Sequence, residues 1–173
     1  MTPACTLRQF LGRPRVALLL GVVYLAVQAA VPALLYPISM LTEGRLQTTF
    51  SAAEFAQTLE SLRSDNLLGH YWAHYLADNA LPFAYAPFFA ALLALALTRG
   101  RASTAADRLL VLPFVAGLLD LVENATHLWM LSHGVRPDLV ILGATAACLK
   151  WAAALATAAA IVAYAARRPR ETP

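Results

Sequence analysis

The segment Gly117–Leu131, GLLDLVENATHLWML, is apolar enough to lie in hydrocarbon, yet it carries Asp120, Glu123, Asn124 and His127. On a helix turning about 100° per residue, these four fall within an arc of about 100°, and Leu121, Val122, Ala125 and Thr126 fall outside it. Two carboxylates, an amide and an imidazole on one edge make a surface for acid–base chemistry or for holding a ligand. A carboxyl group withdrawn from water holds its proton more tightly, so such a group can act as general acid or base near neutral pH. Upstream, His70, His74 and Asp78 recur every four residues, with Tyr71 and Tyr85 on the same arc. Downstream, Lys150 is the only lysine of the chain and sits deep inside another apolar run.

Apolar surroundings make these groups expensive. An ionised side chain at a helix centre costs about 2.5–3.5 kcal/mol to insert, so such residues turn inward and find partners. Depth, counted at about 1.5 Å per residue, identifies the partners. The third apolar run ends near Ser132 and the fourth begins near Asp138, which leaves Asp120 and Lys150 each 12 residues from those ends. The spacing predicts that Lys150 pairs with Asp120, Glu123 or both. It also places His74 level with His127, and Asp78 level with Glu123 and Asn124.

Three uses of this constellation remain open from the residues. The groups can be structural, joining helices by interhelical contacts that contribute about 0.6 kcal/mol each. They can line a binding or catalytic cavity, with Glu123 or Asp78 exchanging a proton with an apolar substrate and Lys150 tuning that carboxylate. Asp120, Asn124, His127, His74 and Tyr85 would then surround and orient the ligand. They can also ligate a metal through His74, Asp78, Glu123 and His127. The chain has no HExxH or Glu-x-x-His motif, and Lys150 would repel a cation, so no metal and no cofactor is expected. Proton or ion translocation is disfavoured because the polar edges crowd one half of the spans.

The elements that position these residues are apolar runs. Charged residues make up 13% of the 173, about half the roughly 25% of soluble domains. Four stretches, about 16–36, 71–98, 109–131 and 139–166, reach the roughly 20 residues that cross a bilayer, and lipid forces such spans to be helical. The first run exceeds the apolar core of a signal peptide and is read as a retained helix. The expected fold is all-α: a single membrane domain, residues 1–173, forming a four-helix transmembrane bundle. Pro82 and Pro87 are expected to interrupt the second span. In the outer loop, 37–70, Ser51 and Glu54 form a capping box with Phe50 and Phe55 as a staple. Phe55, Leu59 and Leu62 then share one face of a short amphipathic helix, about 52–63, that lies on the bilayer, caps the bundle or acts as a lid.

Nine of the 13 basic residues, among them Arg8, Arg13, Arg15, Arg99, Arg101, Arg108, Arg167, Arg168 and Arg170, flank the spans on one side. By the positive-inside rule both termini face the cytoplasm of a cell membrane protein. The net charge of +3 comes from these flanks and does not signal nucleic acid binding. Cys5 and Cys148 lie at different depths and cannot form a disulfide.

The segments LLDLVEN (Leu118–Asn124), DNALPFAY (Asp78–Tyr85) and LKW (Leu149–Trp151) resemble those of a group of bacterial four-helix membrane proteins with no assigned activity. The layout, with LPF at Leu81–Phe83, is also reminiscent of the EXPERA family. That resemblance implies four or five helices, a long first outer connection and buried acids facing an apolar ligand pocket. No catalytic residue carries over from it. The residues and the resemblance lead to one expectation: a polar cavity, opening to the non-cytoplasmic face, that binds or converts a small apolar or lipid-like molecule. The rival expectation is a non-enzymatic membrane subunit whose buried pair fixes helix assembly. The partners expected are the lipid bilayer and such a ligand; nucleic acid is not expected.

Overall fold

The computed structural model describes residues 3–167, with side chains from Leu7 onward; Cys5's side chain, Arg168 and Arg170 lie outside this description. Every regular element described is helical. The order is α1 (Pro3–Leu11), α2 (Pro14–Leu35), α3 (Met40–Thr48), α4 (Ala52–Ser64), α5 (Leu68–Asp78) and α6 (Leu81–Arg99). A 3-10 segment, Thr104–Val111, leads into α7 (Leu112–His133) and then α8 (Pro137–Ala165). Three helices, α2, α6 and α8, are long and apolar enough to cross a membrane. The 22 residues of α7 are long enough, but their polar stripe lowers their average hydropathy.

The second apolar run is two helices instead of one kinked span. Pro82 lacks the amide that would bond the Asp78 carbonyl, and it sits in the first turn of α6, where that loss is harmless. The chain therefore breaks at Asn79 and Ala80, and the Asn79 side chain donates to the Tyr75 carbonyl at 2.9 Å. Pro87, expected to interrupt as well, is accommodated inside α6.

Two apolar clusters hold the ends of the bundle. At one end, α4 lays Phe55, Leu59 and Leu62 onto Tyr71, Tyr75, Met130 and Val140. This face is the one read from the sequence, and α4 caps the bundle instead of lying apart from it. Ser51 accepts from the Glu54 amide at 3.3 Å. The return arm of the capping box differs: Glu54 accepts from the Thr49 hydroxyl, and that oxygen accepts from the Ser51 amide. Of the two expected staple residues, Phe55 is fully buried and Phe50 is exposed. Truncating Phe55 to alanine should cost about 3–5 kcal/mol, as large core deletions do, read as a lower unfolding midpoint in mild detergent.

At the other end, Leu11 and Ala17 pack on Ala94, Leu97 and Leu110. Gly12 abuts the Ala94 carbonyl, and Gly100 comes so close to the Tyr164 carbonyl that a Cβ would stand 2.7 Å away. The N-terminal helix, the 99–111 connection and the end of α8 thus share one end of the molecule.

Candidate functional site

Helices α7 and α8 pack along their lengths, and Gly143 permits the approach. A Cβ there would stand 2.7 Å from the Thr126 hydroxyl oxygen. Thr126, placed outside the polar arc from the sequence, is buried at this contact and donates back to the Glu123 carbonyl at 2.7 Å. The close approach brings Lys150 onto the α7 stripe. Its Nζ donates to Asp120 Oδ1 at 2.9 Å and stands 2.6 Å from Glu123 Oε2. The first contact is an aligned hydrogen bond. The second is a close ion pair without hydrogen-bond alignment. Lys150 therefore pairs with both acids, with Glu123 fully buried and Asp120 and Lys150 nearly so. One ammonium faces two carboxylates, an arrangement that persists only because the charges are held together.

Around this trio the polar groups are close but loosely held. Asn124 lies against Asp78, and the Tyr85 hydroxyl lies against Asp120, each without a well-aligned hydrogen bond. Glu123 Oε1 is buried with no hydrogen-bond partner among the described residues. Buried polar atoms are paired in the great majority of cases, so three such groups side by side mark a site and not a finished core.

The site borders a cavity of about 610 Å³. Its polar wall is Asp78, Asp120, Lys150 and Tyr85, and its apolar walls include Val31, Leu81, Phe89, Trp151 and Leu155. Of the residues read from the sequence, these four polar ones line it. Glu123 stands behind Lys150. His74, Asn124 and His127 do not line the cavity. His127 belongs to a separate buried network in which the Tyr75 hydroxyl meets its Nδ1 at 3.0 Å and donates to Tyr71 Oη at 3.0 Å. His74 is held on the Tyr71 carbonyl and packs on the Tyr75 ring, with centroids 4.0 Å apart. Phe55 of α4 closes over His127. No group of three His, Cys, Asp or Glu side chains among the described residues is arranged to hold a metal ion.

Helix α3 contributes Glu43, Gln47 and Thr48 to the cavity wall. Helix α2 packs on α5 and α6, and α8 on α7, α6 and α3, but α2 and α8 share no extended contact. The cavity lies between them, with the exposed Trp151 and Leu155 of α8 in its lining. Helix α2 contributes Tyr24 and Gln28 to the wall.

Sequence reasoning missed Glu43 altogether. Ser39 caps α3 by accepting from the Thr42 amide at 3.1 Å, but Leu46 is the only buried residue of that helix, so no apolar stripe advertises it. Burial, reinforced by the negative charge of Asp78 and partly offset by Lys150, raises the Glu43 carboxyl from its ordinary 4.5 to about 7. A raised acid binds its proton more tightly in the folded state, so stability is greater at low pH and declines as pH rises from about 4.5 to 7. Glu43→Gln removes this contribution. The melting temperature of the variant relative to wild type should climb between pH 5 and 7 and level off above; a flat difference would refute the burial of this charge.

Compared with known proteins, the chain matches no family profile, no curated protein and no solved structure.

Proposed function

We propose that the chain is a four-span integral membrane protein of the cell membrane, with both ends cytoplasmic, whose cavity binds a small apolar or lipid-like molecule. Helix α7 serves as the fourth span: at about 1.5 Å per residue its 22 residues reach about 33 Å. Asp120, Glu123, Asn124 and His127 all face inward, while Leu118, Phe114 and Val115 are exposed. The clustering of arginines at the end shared by α1 and the 99–111 connection supports a cytoplasmic position for that end.

The observation that carries the ligand reading is the cavity between α2 and α8, with apolar walls and one charged wall. Ligand sites are mostly apolar with a few placed polar groups. A molecule dissolved in the bilayer enters such a cleft without crossing water, its polar end meeting Asp78, Asp120 and Tyr85. Acid–base conversion of that molecule fits the same wall, with Asp78 as the exchanging carboxylate and Lys150 tuning Asp120.

The test is a thermal-shift series on delipidated protein with long-chain alcohols, amines and acids as probes. A ligand that binds only the folded state stabilises it by RT ln(1 + [L]/Kd). At least one probe should raise the melting temperature saturably. A series in which none does so contradicts the reading and favours a structural subunit.

A further inference from the structure

The end of the molecule opposite α4 has a chemistry of its own. Among the described residues, Asp107 is the one carboxylate at that end, and it is consumed: Arg8 Nη1 donates to Asp107 Oδ1 at 3.1 Å and to the Ala102 carbonyl at 3.0 Å. The other guanidinium nitrogen donates to the Leu97 carbonyl. Arg8 thereby fastens α1 across the last turn of α6, and side-chain exposure on the bridge is only 13% and 3%.

With Asp107 taken, the remaining arginines at this end face no acid among the described residues. Arg13, Arg15, Arg99, Arg101, Arg108 and Arg167 are all exposed, and none makes an ion pair among the described residues. They converge because Gly12 rests on the Ala94 carbonyl and Gly100 on the Tyr164 carbonyl. Beside them α1 turns two apolar side chains outward, Leu7 at 45% and Phe10 at 54% exposure. The Arg13 guanidinium lies over the Phe10 ring, 5.8 Å from its centroid. An unopposed cationic rim next to a short helix with an outward apolar edge has the two components of an interfacial anchor: hydrocarbon contact and attraction to anionic headgroups.

We infer that this end is a docking surface for anionic phospholipids, with Leu7 and Phe10 seated among acyl chains and the arginines around the phosphates. It is built from elements remote from the cleft and does not depend on what the cleft binds.

The test uses the full chain, delipidated and titrated with phosphatidylglycerol or phosphatidylcholine of identical acyl chains, with bound lipid counted by native mass spectrometry. Wild type is expected to prefer phosphatidylglycerol. Each arginine near an anionic surface is worth about 1 kcal/mol, so the exposed triple variant Arg99→Gln/Arg101→Gln/Arg108→Gln should lose roughly a hundredfold of that affinity. Its melting temperature should not change, since none of the three side chains is buried. Equal affinity for the two lipids, or an undiminished preference in the triple variant, overturns the inference. So does displacement of phosphatidylglycerol by inorganic phosphate or an RNA oligonucleotide at equal charge, which would assign the surface to another occupant.

Discussion

Lys150→Met is expected to destabilise the protein by about 3–5 kcal/mol, the cost of removing one partner from a buried ion pair. The methionine fills the space of the lysine stem, so the loss is electrostatic and not a cavity effect. Asp120 and Glu123 would stand side by side on one edge of α7 with no cation, and Glu123, fully buried, has no hydrogen-bond partner among the described residues. The triple change Lys150→Met/Asp120→Asn/Glu123→Gln should recover most of the loss, because replacing all charges together is often neutral where removing one is costly. Denaturant unfolding in mild detergent measures both. Equal stability of Lys150→Met and wild type would mean the ammonium is not held between those acids.

The second large effect concerns occupancy. Ala154 lines the cleft on α8 and is only half-buried, so Ala154→Trp grows into open space and not into packed neighbours. The stability change should stay within about 1 kcal/mol, as for substitutions away from the core. An indole placed beside Trp151 and Leu155 fills the space between α2 and α8, so the saturable thermal shift expected of wild type should disappear. A variant that melts like wild type and still responds to the same probe would move the ligand out of this cleft.

The stripe on α7 was legible because hydrocarbon penalises it: four polar residues on one edge of an apolar helix have few places to go. Depth counting was enough to pair Lys150 with Asp120, Glu123 or both, since straight helices of equal rise leave only register to determine; the structure shows both. The same reasoning failed where the chain leaves regular geometry. Treating 71–98 as one helix put His74, Asp78 and Tyr85 on one face. Asp78 and Tyr85 do line the cavity together, but His74, one turn earlier on α5, packs with Tyr71 and Tyr75 instead. Glu43 and the α3 wall of the cleft were invisible because α3 is placed by long-range packing of a single buried leucine, Leu46, with no periodic pattern to read. The position of the cavity between α2 and α8 is likewise a property of which helices do not touch, which residue spacing along one helix cannot express.

The central claim is that Asp78, Asp120 and Lys150 form one wall of a cleft that holds a membrane-soluble molecule. Native mass spectrometry of gently extracted wild type beside Ala154→Trp tests it most directly. The account predicts a bound molecule of defined mass on wild type and none on the variant at matched melting temperature. No adduct on wild type, or the same adduct on both, would contradict it.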